Sequence, residues 1–140
     1  MTEKLVFPSE EWIVKFWDLL KVNDAYKEAA KTWEGDFFFE VVADGEHIKE
    51  DTRLYMDLWH GECRLARMAE EGDNPEFIYS GTLANWKRLI AGEIDPIKGL
   101  MSRKFKLPTG DMGKIMRATK AAAELVSTAQ KVPTVYIDEM

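Results

Sequence analysis

Between Tyr79 and Gly110 the hydrophobic pattern changes period repeatedly within about thirty residues, YSGTLANWKRLIAGEIDPIKGLMSRKFKLPTG, and few folds accommodate such a stretch. Leu83, Trp86 and Ile90, with Leu89 beside them, recur at helical spacing; Ser80 or Thr82 supplies the cap and Gly92 the end. Asp95-Pro96 then opens a second, shorter helix with Ile97, Leu100 and Met101 on its apolar side. In RKFKL, Phe105 and Leu107 alternate with Lys104 and Lys106, the signature of a strand with one dry face, which Pro108 stops. A strand, crossover and strand of this length lays two short helices over a sheet and leaves space beneath them.

The rest of the chain supplies that sheet and its cover. A chain of 140 residues that is 46% hydrophobic can build one core, so residues 1–140 read as one domain. Ser9 precedes a helix whose Trp12, Ile13, Phe16, Trp17 and Leu20 form a packing stripe, and Asn23 or Asp24 caps a second with Tyr26, Ala29, Ala30 and Trp33 on one side. From Asp36 the period falls to two: Phe37, Phe39 and Val41 face one way and Phe38 and Glu40 the other, so this strand is apolar on nearly both sides and central. TRLYMDLW and ECRLARMA flank His60-Gly61 as an antiparallel hairpin, and FIYSG is a fourth strand. A last helix is expected from Asp111 to Lys131, capped by Thr109 or Asp111. Its apolar stripes are Met112, Met116, Thr119, Ala123 and Val126 beside Ile115, Ala118, Ala122, Leu125 and Ala129. Alanines at 118 and 121–123 make this face shallow, which either permits close helix packing or leaves room for something else. The tail VPTVYIDEM is apolar enough to lie on the surface, with no element assigned.

Net charge is −6, which argues against general nucleic-acid binding, but Thr82–Pro108 carries six basic and two acidic residues, leaving −10 elsewhere. These cations are either the solvated faces of two helices and an edge strand or a rim, at Lys87, Arg88, Lys98 and Arg103, that meets an anionic head group. A single cysteine, short apolar runs and the absence of a secretory pattern in MTEKLVFPSEE lead to the expectation of a cytoplasmic protein with at most transient membrane contact. No metal or other cofactor is expected: two histidines and Cys63 do not make a zinc site, and no phosphate loop or nucleophile elbow is present. Asp57 shares a strand face with Arg53 and is read as its ion-pair partner.

The segments NDAYKEAAKTWEGDFFFEV and DNPEFIYSGTLANWKRLIAGEIDPIKGLMSRKFKLPTGD, followed by the long helix, resemble the sterol carrier protein type two family from about Ser9 to Val132. The resemblance implies an α/β (α+β) fold in which helices cover a five-stranded mixed sheet over an apolar cavity. It implies binding and transfer of a fatty acid, fatty acyl-CoA, sterol-like or other lipid without catalysis. The cavity wall would then fall on Leu83, Trp86, Leu89, Ile90, Ile97, Leu100, Met101 and Phe105, and on Met112, Ile115, Met116 and Thr119 of the last helix. Trp59, Trp86 and Phe37–Phe39 would narrow that cavity and count against a sterol-sized guest. The terminal Asp-Glu-Met is not a peroxisomal signal. Two rival readings stand beside this one: a structural or dimerisation module with a filled core that assists a partner enzyme, and an enzyme acting on a lipid thioester through His60 or Cys63.

Overall fold

The computed structural model describes residues 3–140; Met1 and Thr2 of the N-terminal stretch read above lie outside the described residues. The elements in order are β1 (Leu5–Phe7), α1 (Glu10–Leu20), α2 (Asp24–Ala29), β2 (Glu34–Val41), β3 (Thr52–Trp59), β4 (Glu62–Met68) and β5 (Phe77–Gly81). They continue with α3 (Leu83–Ile90), α4 (Pro96–Met101), β6 (Phe105–Thr109), α5 (Met112–Met116), α6 (Thr119–Ala129), β7 (Thr134–Tyr136) and a closing 3-10 turn (Ile137–Glu139).

β2 is central, as its two apolar faces require: the main sheet has the order β4-β3-β2-β5-β6, with β2 antiparallel to β3 and parallel to β5. The parallel β2–β5 pair and the antiparallel hairpin make the sheet mixed. The hairpin turns at His60 (φ 50°) and Gly61 (φ 80°), the backbone pair that suits a two-residue turn between twisted strands. Helix starts follow the polar caps: Ser9 Oγ accepts from Trp12 N, Asn23 from Tyr26 N, Thr82 from Asn85 N, and Asp95 from both Ile97 N and Lys98 N.

The second helix ends at Ala29, before the Trp33 that the sequence reading placed on it, and four further features depart from that reading. The single helix expected over 111–131 is two, because Thr119 Oγ1 donates to the Met116 carbonyl and the backbone at Arg117 and Ala118 tightens into three-residue bonds. The tail forms β7, parallel to β1, and Leu5 N donates to Pro133 O at 2.8 Å. Pro108 falls inside β6, tolerated because that strand is an edge. Arg53 pairs with Glu40 (2.7 Å), which stands directly opposite it on β2, and Asp57 pairs with Arg64 (3.0 Å). Four residues apart on one strand, Arg53 and Asp57 are separated by roughly 13 Å of backbone, so partners on neighbouring strands win.

Candidate functional site

The helices cover the face of the sheet that carries Phe37 and Phe39 of β2, Leu54, Met56 and Leu58 of β3, and Tyr79 of β5. The cover stops short of that face. Between them lies a cavity of about 100 Å³, measured as the space open to the centre of a water-sized sphere. Its roof and ends come from Phe7, from Trp12, Ile13 and Phe16 of α1, and from Trp86, Leu89 and Ile90 of α3. Pro96 and Ile97 of α4 and Ile115 of α5 complete one side. The alanines at 118, 121, 122 and 129, with Leu125 and Val126, form the wall on α6. Short side chains there leave the volume unfilled, so of the two uses weighed for the alanine run the structure shows room.

Among the described residues no charged side chain lines this space, and its three indole N–H groups and the Tyr79 hydroxyl are bonded to other groups of the protein. Trp12 Nε1 donates to Thr134 Oγ1 (2.8 Å), Trp33 Nε1 to Gly35 O (3.0 Å), Trp86 Nε1 to Glu40 O (2.8 Å), and the Tyr79 hydroxyl to Pro96 O (2.7 Å). Burial pushes the Tyr79 phenol above its ordinary range, so it stays a neutral donor at any physiological pH. With its indoles and the Tyr79 hydroxyl engaged, the cavity offers water few partners; apolar cavities of roughly 150 Å³ stay dry and take up small hydrocarbons. Phe39 lies mid-strand on the central strand and still keeps accessible surface, because its ring borders the hollow.

Of the residues expected in the wall, Trp86, Leu89, Ile90, Ile97 and Ile115 line the cavity. Leu83 and Leu100 are buried away from it. Phe105 is only 1% exposed, but its ring stacks on Tyr79 at 4.8 Å and crosses Trp86, and it covers Gly81 so closely that a Cβ there would sit 2.5 Å from the ring. Met101 and Met112 face outward, 67% and 45% exposed, while Met116 and Thr119 lie at the α5–α6 break. Periodicity could not separate these from the wall, since a period reports which side is apolar and not whether a neighbour fills the space. Lining residues outside the expected set include the α6 wall, Phe7, Tyr26, Trp33, Tyr79 and Pro96, and the side chains of α1, β2 and β3. Their stripes read as packing, which they are, and the same side chains also border the hollow. Trp59 and Phe38 stand on the far face of the sheet and do not narrow it.

The rim also divides. Lys87 is neutralised by Asp138 (3.2 Å) and Glu139 (3.3 Å), and Arg88 approaches Glu93 at 4.0 Å. Lys98 and Arg103 have no carboxylate within 4.0 Å among the described residues. His60 bonds to Glu34 on the surface, and burial pushes the Cys63 thiol up to about 12. Neither borders the cavity. Among the described residues there is no group of three or more His, Cys, Asp and Glu able to hold a metal ion, and no helix long and apolar enough to cross a membrane.

A mixed five-stranded sheet roofed by helices over an apolar cavity defines a small apolar-ligand-binding fold. The model of the SCP-2 sterol transfer family matches residues 16–123, and the chain belongs to that family. It is similar to a crystal structure of sterol carrier protein 2 at 31% identity and TM-score 0.83, over 89% of this chain and 97% of the other. A conserved hypothetical protein from Thermus thermophilus is 29% identical at TM-score 0.84, over 96% and 94%. Sterol carrier protein 2 from Aedes aegypti, in complex with the C16 fatty acid palmitate, shares the fold at 16% identity and TM-score 0.51, over 80% and 93%. No curated protein matches the sequence.

Proposed function

We propose that this protein is a non-catalytic carrier that takes the hydrocarbon tail of a fatty acid or fatty acyl-CoA into the cavity between sheet and helices. The observation that carries the proposal is a hollow bordered by aromatic and aliphatic side chains and by the alanine wall of α6, with no unbonded indole N–H turned into it. Transfer of a tail into such a space gains roughly 25 cal/mol per Å² of apolar surface removed from water. A space of about 100 Å³ admits a stretch of flexible chain more readily than a rigid ring system, and a whole acyl tail would need the surrounding side chains and helices to move apart. Of the four expected rim cations, Lys98 and Arg103 are the two without a carboxylate within 4.0 Å among the described residues, and they are assigned the head group. The palmitate held by the mosquito relative is in keeping with this ligand class.

The carrier reading needs no reacting group, and the two candidates for one support it: His60 is engaged with Glu34 and the Cys63 thiol is held protonated, both away from the cavity. Mass spectrometry of gently purified protein, together with titration of a fluorescent fatty acid, tests the proposal. A co-purifying lipid or micromolar probe binding is the expected result. A chain that carries no lipid, binds no probe and forms a dimer is instead a structural module.

A further inference from the structure

We infer that the outward side of α4, α5 and the start of α6 docks on an anionic bilayer. Between Lys98 and Lys120 the chain holds seven basic residues against one acidic residue, Asp111, so this segment carries +6 and the remainder of the molecule −12. Lys98, Arg103, Lys104, Arg117 and Lys120 are exposed, and among the described residues none lies within 4.0 Å of a carboxylate; Lys114 is paired with Glu76, and Lys106 of β6, opposite Ser80, stands on the far face of the sheet. Met101 and Met112 stand among them, 67% and 45% exposed.

These elements share one inner wall. Ile97, Ile115, Ala118 and Ala121 border the same cavity, so the outward sides of α4, α5 and α6 adjoin around it. Unpaired cations with interleaved flexible apolar side chains suit a disordered, negatively charged head-group layer, which has no fixed shape to match. An acidic protein partner would leave the two methionines unexplained. The charge asymmetry also favours one orientation: the remaining residues carry −12 net, so an anionic membrane attracts this segment and not the rest of the molecule as a whole. α1 is a poor alternative, since its apolar side is buried and Glu10, Glu11 and Asp18 outnumber its one cation, Lys15. Docking by this side would bring the α5–α6 wall of the cavity against the bilayer.

The test is sedimentation of the full chain with phosphatidylcholine vesicles, with and without phosphatidylglycerol. Binding to the mixed vesicles alone, falling as salt rises, is expected. Arg117→Gln with Lys120→Gln should weaken it about fivefold per charge, roughly 25-fold together, whereas Arg117→Lys with Lys120→Arg retains it. Met112→Ser should lower the part that survives high salt. None of these three positions borders the cavity or was assigned the head group, so affinity for a fluorescent fatty acid in free solution should not move, which separates this surface from the carrier reading. Equal binding to both vesicle types, unchanged binding by the Arg117→Gln/Lys120→Gln variant, or capture of an acidic protein in the absence of any vesicle binding would overturn the inference.

Discussion

Ala122 tests the cavity most directly, because its methyl group borders the hollow from α6. Ala122→Phe should fill the space, abolish fatty-acid probe binding and raise stability by about 0.5–2 kcal/mol in urea titration, since a filled void regains dispersion contacts. Trp86 is the opposite case. It borders the cavity, donates to Glu40 O and packs edge-on against Phe39, Tyr79 and Phe105, so Trp86→Ala should cost about 3–5 kcal/mol in the same titration. At Asp73 the Arg67 guanidinium, through bonds of 2.8 and 3.0 Å, and then the Glu70 N–H hold the carboxyl down to about 2. A folded-state pKa below the unfolded value of about 3.9 stabilises the fold above that value, and the contribution disappears as pH falls towards 2. Asp73→Asn should therefore lose less stability between pH 5 and pH 2 than the parent chain, read from urea midpoints at each pH.

The short β1–β7 ribbon closes one end of the cavity by holding Phe7, which is 1% exposed and meets Trp12 edge-on at 4.8 Å. Thr134 accepts the Trp12 indole N–H, so Thr134→Val leaves a largely buried donor without its partner and should cost about 1–3 kcal/mol. Amide exchange at Leu5 and Val6 should accelerate in parallel, because the strands pair only with each other. Elements with their own signals were legible in the sequence: the Thr82 and Asp95 caps, the alternation of β2, and the His60-Gly61 turn. β1 and β7 were not, because three-residue strands have too few positions for a period and exist only through each other. The α5–α6 break was hidden for a related reason. Neither glycine nor proline marks it, and the Thr119 hydroxyl that takes the Met116 carbonyl is an ordinary helix residue in any periodic reading.

A ligand that enters the cavity binds the folded state alone, so the melting temperature should rise with fatty-acid concentration and reach no plateau near the dissociation constant. A molecule whose core is already complete would show no such shift. The order of helices and strands from α1 to β6, the central place of β2 and the concentration of cations after Lys98 were determined by the amino-acid sequence alone, because caps, periods and charges act over a few neighbouring residues. Which apolar side chains meet one another and which face a hollow was decided only by tertiary structure. An alanine on α6 is the same residue whether a phenylalanine reaches across to it or not, and the unfilled volume belongs to the distance between layers rather than to any one side chain.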